Sequence, residues 1–202
     1  MVDRPTVAAY DADAARYAQD WRDQAAPEDM YALLRRHFAP GPTADVGCGA
    51  GRDTAWLAAR GFEVCGYDAS AGLLEEARRR YRGLRFELAA LPALDGVPSG
   101  AFRNVLCETV VMHLDQADAA AAAARLAELL MPEGTLYLSW RVAGNDAPRD
   151  AHGRLYTVLD AARMRAALGG GMQVLDDHEV ISASSGKRVH RLIARKAAAA
   201  AA

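Results

Sequence analysis

Apolar and polar positions along the chain switch repeatedly between two periods. Residues 10–24 and 28–38 place apolar side chains three and four apart, which predicts helices. "TADVG" (43–47) has strand character, "RDTAWLAAR" (52–60) returns to the helical period and stops at Gly61, and "FEVCGYD" (62–68) is strand-like again. "AGLLEEARRRY" (71–81) predicts a helix that stops near Gly83. The alternation then repeats. "LRFEL" (84–88) is a short strand, "FRNVLCE" (102–108) a strand buried on both faces, "ADAAAAAARLAELL" (117–130) a helix ended by Pro132 and Gly134, and "TLYLSW" (135–140) another strand. A helix is expected at 157–168. After it come "MQVLDDHEVIS" (172–182) and "KRVHRLIARK" (187–196), strand-like runs parted by Ser184-Ser185-Gly186.

Strands that take turns with helices predict parallel pairing through crossover helices, and the last two runs predict an antiparallel hairpin at one edge. The fold class is therefore α/β: a doubly wound, mostly parallel sheet of seven strands with helices on both faces. At 202 residues the chain has length for one sizeable core, with no linker or repeat. We expect a single domain over 1–196, with 1–40 as an N-terminal helical lid or cap and 197–202 as a disordered alanine tail.

Charge changes this picture little. The 24 basic and 26 acidic residues leave a formal charge of −2, so no global field favours nucleic acid or an anionic membrane. No run approaches the roughly 18 apolar residues of a membrane span, and no leader pattern is present, which predicts a cytoplasmic chain. Cys48, Cys65 and Cys107 stand far apart without metal-ligand spacing and read as reduced core thiols, with no metal expected. The arginines of "RRRYRGLR" read as a solvated helix face, with RNA contact as the less favoured reading.

Candidate chemistry concentrates in "DVGCGAGRDT", which follows the first strand. In an open parallel sheet the ligand sits beyond the carboxyl ends of the strands, where this loop lies. Gly47, Gly49 and Gly51 free the backbone to approach a ligand, and the helix that starts near Arg52 points its positive end there. A dinucleotide fingerprint needs a third small residue three positions after the second glycine. Arg52 stands three after Gly49 and Thr54 three after Gly51, so that reading fails, and no Gly-Lys-Ser/Thr follows to make a P-loop.

"DVGCGAG" resembles the acidic-x-Gly-x-Gly-x-Gly motif of class I S-adenosylmethionine-dependent methyltransferases, and "GYDAS" resembles that family's second motif. "ELAALP", "FRNVLCETVVMHL" and "LLMPEGTLYLSW" are similar to its later segments, in the family's order. The resemblance implies a Rossmann-like fold, S-adenosyl-L-methionine as cofactor and methyl transfer as activity. It implies that Gly47, Cys48 and Gly49 line the methionine portion, with Asp45 reaching the ammonium directly or through water. A carboxylate there would attract an ammonium and repel a phosphate; the alternative for Asp45 is a turn cap. Asp68 closes the second strand and would accept hydrogen bonds from the ribose hydroxyls, with Ala69 along the adenosine face. Glu87 takes the position of an adenine-contacting aspartate, and Leu88 would pack on the ring or offer its backbone N–H. Arg52 either holds the methionine carboxylate or pairs with Asp53.

The same resemblance sets Cys107, Glu108 and Thr109 beside the transferred methyl group. Glu108 is a candidate for accepting a proton or steadying an ammonium, against cofactor contact or capping; His113 is a candidate base, against a structural histidine. His152, Arg154 and Tyr156 lie where related enzymes build acceptor pockets. Tyr10, Tyr17 and Trp21 share one helical face, which suits either a lid over the cofactor, with Tyr17 touching it, or a stripe packed on the sheet. Two family positions differ: an aspartate is replaced by Arg103 and a turn glycine by Glu133. We expect a small-molecule acceptor, a monomer or homodimer, and no nucleic-acid or membrane partner. The alternatives are the same fold acting on RNA or protein, and a non-catalytic module that only binds the cofactor.

Overall fold

The computed structural model describes residues 2–142 and 148–199. Asp3 caps α1 (Arg4–Ala12): its carboxylate accepts the Thr6 N–H at 3.0 Å, and Pro5 in the first turn has no N–H to leave unpaired. α2 (Ala14–Asp23) begins after Asp13, whose backbone at φ −123° and ψ 26° leaves the helical region. The single helix expected over 10–24 is thus two helices meeting at Asp13. α3 (Glu28–His37) carries Glu28 and Asp29 in its first turn and Arg35, Arg36 and His37 in its last, the order that the helix dipole favours.

The remaining elements are β1 (Pro42–Val46), α4 (Arg52–Ala58), β2 (Glu63–Asp68), α5 (Ala71–Arg80), β3 (Arg85–Leu88), β4 (Phe102–Cys107), a 3-10 turn at Val111–His113, α6 (Gln116–Leu129), β5 (Leu130–Arg141), α7 (Ala161–Ala167), β6 (Met172–Ile181) and β7 (Arg188–Lys196). Ser70, Asp115 and Asp160 cap α5, α6 and α7 through side-chain oxygens that accept the N–H three residues on. The Asp160 cap also starts α7 later than the helix expected at 157–168.

The strands form one seven-stranded sheet in the order β3-β2-β1-β4-β5-β7-β6. β1 to β5 pair in parallel, and β7 runs antiparallel to both β5 and β6. The order reverses at β1, which pairs β2 on one side and β4 on the other. Beyond the carboxyl ends of these three strands lies the switch point of the sheet.

The largest apolar cluster joins β4, β5 and α6. Ala119, Ala122, Ala123 and Leu126 are fully buried, and alanines let the helix lie close to the sheet. Asn104 is buried toward the amino-terminal end of β4, away from the switch point, with its amide paired: Oδ1 accepts the Ala39 N–H, and Nδ2 donates to the Ala39 carbonyl and to Thr43 Oγ1. Cys48, Cys65 and Cys107 are buried and free, as expected of core thiols. Ala197 to Ala199 are exposed and outside any helix or strand, while residues 200–202 of the expected tail lie outside the described residues.

α6 passes directly into β5, so Pro132 and Gly134 fall inside the strand's span rather than in a turn after the helix. They belong to a bulge, where the register with β4 shifts between Phe102 and Asn104. Glu133 at its tip has φ 61°, a left-handed conformation that explains why the family's glycine suits the position. Glu133→Gly should therefore raise unfolding stability in urea by about 0.5–1 kcal/mol, the relieved strain less the added flexibility of the unfolded chain. A lower midpoint would mean that the bulge is not strained.

Candidate functional site

Beyond β1, β2 and β4 the protein encloses a cavity of about 790 Å³, roofed by α1 and α2. Its floor is the glycine loop. Gly47 N–H and Cys48 N–H both donate to the Tyr67 carbonyl, at 2.7 and 3.0 Å, which ties the loop to the end of β2. Gly47 has φ 74°, and a Cβ there would meet Val110 Cγ2 at 2.2 Å; Gly49 has φ 53°, and a Cβ there would meet the Trp21 ring at 2.7 Å. Side chains are excluded at both positions by conformation and by space.

Asp68 stands at the rim of this loop. One carboxylate oxygen accepts the Gly49 N–H and the other the Ser70 N–H, each at 2.8 Å. A carboxylate has about four acceptor sites, so capacity for hydroxyl donors remains. Burial pushes its pKa up, and the two backbone donors oppose that shift. Ala69, Gly47, Cys48 and Gly49 also line the cavity.

Asp45 sits beneath the loop rather than in the cavity wall. Its carboxylate is 3% exposed and accepts the Thr54 hydroxyl at 2.6 Å, which corresponds to the cap reading of this residue. Burial, reinforced by the nearby Asp53 charge, pushes its pKa up to about 7. Arg52 lines the cavity and is also bonded to Asp53, through Nε at 3.0 Å and Nη2 at 3.2 Å. Asp53 accepts the Tyr31 hydroxyl at 2.7 Å as well, so Arg52 is presented as half of a neutralised pair.

The end of β4 makes a second wall. Glu108 lines the cavity and accepts the Ser139 hydroxyl at 2.5 Å, while burial raises its pKa. Ser139 also accepts the Thr109 N–H at 3.0 Å. Thr109 is held at φ 54°, an unusual conformation for a β-branched residue, and it too lines the cavity.

His113 Nδ1 lies 2.6 Å from the Leu155 carbonyl, so it carries the ring proton and donates. Nε2 is then the acceptor, and it takes the Tyr10 hydroxyl at 3.0 Å. Burial lowers the His113 pKa to about 4 and lifts that of Tyr10 to about 12, so both are uncharged near neutrality. Arg154 reaches the same place, doubly bonded to Asp150 at 2.6 and 2.8 Å and flanked by the rings of Tyr10, Tyr17 and Tyr156.

Five expected site residues do not line the cavity. Glu87 and Leu88 are exposed. Along β3 the side chains alternate, and inward-facing Phe86 puts Glu87 on the outer side, paired with Arg85 at 2.7 Å. Ala89 and Leu91 occupy the adjoining cavity wall instead. Cys107 is fully buried in the apolar cluster, because it precedes the turn that aims Glu108 outward. Tyr17 packs on Leu73 and Ala14, behind Tyr10 and Trp21, which line the cavity. Asp45 is the fifth. His152 is exposed and also apart from the wall.

Other lining residues carried no signal in the sequence. Ser182, Ser184 and Ser185 come from the β6–β7 turn, which reaches the cavity mouth, where Ser184 Oγ is 3.5 Å from Arg52 Nη1. Arg141, the last residue of β5, lines the far end. Strand pattern alone does not say which loops converge.

Residues 44–134 match the sequence model of a family described as a methyltransferase domain. A trans-aconitate 2-methyltransferase from Methylobacterium nodulans is 36% identical over 131 residues, covering 62% of this chain and 48% of that protein. One from Sinorhizobium fredii is 37% identical over 101 residues, covering 48% of this chain and 37% of that protein. The chain spans about half the length, or less, of these curated relatives. A 1,6-didemethyltoxoflavin-N1-methyltransferase from Burkholderia thailandensis, solved with 1,6-didemethyltoxoflavin and S-adenosylhomocysteine, is 24% identical. It aligns with a TM-score of 0.74 over 96% of this chain and 88% of its own. A putative methyltransferase from Haloferax volcanii, solved with the Trm112 activator, is 16% identical, with a TM-score of 0.75 over 98% of this chain and 100% of its own. Likeness at such low identity speaks for the fold; the match over 44–134 speaks for the motifs that build the loop and its flanking strands. By that match and those motifs, residues 44–134 are similar to a methyltransferase domain, and the chain as a whole shares the fold of the solved methyltransferases.

Proposed function

We propose that this chain moves a methyl group from S-adenosylmethionine to a small-molecule acceptor. The observation that carries the reading is the roofed cavity: the glycine loop, Asp68 and the end of β4 meet under α1 and α2, in a volume within the roughly 300–1,000 Å³ of small-ligand sites. The names of the trans-aconitate 2-methyltransferase relatives and of the 1,6-didemethyltoxoflavin-N1-methyltransferase support a small acceptor. Three buried free thiols suit a reducing cytoplasm.

The residues present fit the cofactor. The loop floor is bare where a Cβ would intrude, and Asp68 keeps spare acceptor capacity at its rim. In our reading Gly47, Cys48 and Gly49 approach the methionine portion, Arg52 lies at its carboxylate end, and Asp68 and Ala69 hold the ribose. When bound, S-adenosylmethionine supplies a methyl group on a positively charged sulfur. The protein's part is positioning and the exclusion of water. Glu108 and Thr109 border the place where the acceptor enters. Asp45 steadies the loop from below through Thr54. His113 serves to position Tyr10, since a histidine with a pKa near 4 and an occupied Nε2 is a weak base.

Turnover of S-adenosylmethionine to S-adenosylhomocysteine across a metabolite panel tests the activity, and calorimetry tests the site. Asp68→Ala should weaken S-adenosylhomocysteine binding by about ten- to a hundredfold, the equivalent of roughly 1.4–2.7 kcal/mol. Unchanged affinity would remove Asp68 from the site.

The roof should behave as a lid. Tyr10 and Trp21 line the cavity from α1 and α2, and Trp21 rests against Gly49. Adding S-adenosylhomocysteine should slow amide exchange across both helices as well as in the glycine loop. Equal protection with and without ligand would make them fixed walls.

His113 also makes a pH prediction. Its folded pKa is lowered from 6.5 to about 4, so the unfolded chain binds the proton more readily, and the stability from this site is lost as pH falls between those values. From pH 7 to pH 5 the loss is about 2 kcal/mol. Asp45, with a raised pKa, acts in the opposite sense, so the comparison must be against a variant. The stability advantage of wild type over His113→Gln should shrink by that amount in urea titrations at the two pH values. A constant difference would show that His113 is not held neutral.

A further inference from the structure

At the far end of the cavity the charges do not cancel. Of the carboxylates that line it, Asp3 is bonded to Arg149, Asp53 to Arg52, Asp68 to backbone N–H groups, Glu76 to Arg79 and Glu108 to Ser139. Arg154 is matched by Asp150. Arg22, Arg80 and Arg141 line the cavity with no side-chain hydrogen bond or ion pair among the described residues, and of these Arg141 alone lies against Tyr156, whose ring face it meets at 5.6 Å. Beside neutral Tyr10 and His113 and the matched Arg154–Asp150 pair, the Arg141 guanidinium is therefore a locally unpaired positive charge in a half-enclosed space, which is costly unless an anion completes it.

Its place in the sheet relates it to the reaction. Ser139, Trp140 and Arg141 end β5, which pairs with β4. Ser139 holds both Glu108 and the Thr109 N–H, and Arg141, two residues further on the same face of the strand, stands about 7 Å beyond it. A guanidinium on a long side chain can thus grip one end of an acceptor whose other end lies at Glu108 and Thr109. The planar fork matches a carboxylate in two parallel hydrogen bonds, and a single locally unpaired charge matches a carboxylate better than a phosphate dianion.

We infer that the acceptor is a small carboxylic acid, and that Arg141 is the residue that anchors its carboxylate. This rests on the methyltransferase reading above. It adds the class of acceptor and a specificity-determining residue. Arg154, already neutralised by Asp150 and packed among three tyrosine rings, shapes the wall beside the anchor without adding charge.

The test is calorimetry on the protein saturated with S-adenosylhomocysteine. The probes are succinate, glutarate, citrate, benzoate and phenylacetate, the neutral amide of each, and inorganic phosphate. At least one acid should bind while its amide does not. Arg141→Gln should weaken that acid at least tenfold, Arg141→Lys should restore part of the affinity, and both should bind S-adenosylhomocysteine within about twofold of wild type. The inference is overturned if no acid binds, if phosphate binds in preference, if acid and amide bind alike, or if Arg141→Gln binds the acids as wild type does. Should S-adenosylhomocysteine itself fail to bind wild type, the methyltransferase reading falls, and the acceptor inference falls with it; loss of acid binding alone leaves that reading standing.

Discussion

The hydrogen bonds between the glycine loop and the end of β2 are what the rest of the site depends on. Parallel pairing of β1 with β2, with Val46 opposite Tyr67, brings the loop after β1 alongside the residue after Tyr67. The Tyr67 carbonyl then takes two loop N–H groups and the Asp68 carboxylate takes a third, from Gly49. Three donors without an intraloop partner are thereby satisfied, and the loop is fixed before any ligand arrives. Its glycines follow from the same constraint. A loop drawn this close to β2 has Val110 and Trp21 pressed on its other side, so side chains at 47 and 49 have nowhere to go.

Fixing the loop buries carboxylates, and each is offset by a different means. Asp68 is met by backbone donors, Asp45 by the Thr54 hydroxyl, Asp53 by Arg52 and Tyr31, and Glu108 by Ser139. The means sets what each group has left to offer. Asp53 is bonded by a guanidinium and a phenol and serves the wall; Asp68, bonded by two N–H groups, retains acceptor sites at the rim. Burial raises the pKa of Asp45, Asp68 and Glu108 alike, and the hydrogen bonds each accepts oppose that shift. Arg141, at the end of β5, adds a guanidinium whose one ring contact is with Tyr156.

Strands and helices were legible from period alone because most strands here are buried and most helices two-faced. The glycine loop and Asp68 were legible for a further reason: they sit where chain order and sheet geometry leave one choice. Legibility failed wherever side-chain direction decided. Glu87 and Phe86 are neighbours, and the alternation of a four-residue edge strand sends one out and one in. Cys107 is the last residue of β4 and Glu108 the first beyond it, so one is core and the other wall. Tyr17 and Trp21 stay stacked on one face of α2, but Tyr17 is taken up by Ala14 and Leu73 while Trp21, a turn further on, reaches the cavity. Ser182 to Ser185 and Arg141 come to the cavity from chain positions more than 80 residues after the loop, and only the closed sheet shows that they meet it.

The roof and the β4 end are joined by one short chain of hydrogen bonds. Tyr10 on α1 donates to His113 in the turn after β4, and His113 donates to the Leu155 carbonyl in the segment before α7. Thr6 on α1 accepts the Leu155 N–H at 2.9 Å, so the same peptide segment is held from both sides. These bonds require a neutral imidazole with its proton on Nδ1, which burial supplies. A charged ring would donate from both nitrogens and oblige Tyr10 to turn its hydroxyl hydrogen away. The Tyr10 contact thus couples the closed roof to the wall that Thr109 begins. With Thr109 held in a left-handed conformation there, the wall stores backbone strain just beyond the end of β4. The roof thus meets this wall through neutral hydrogen bonds at Tyr10 and Thr6 and through the Asp3–Arg149 ion pair, so α1 is held to the segment before α7 by both kinds of contact.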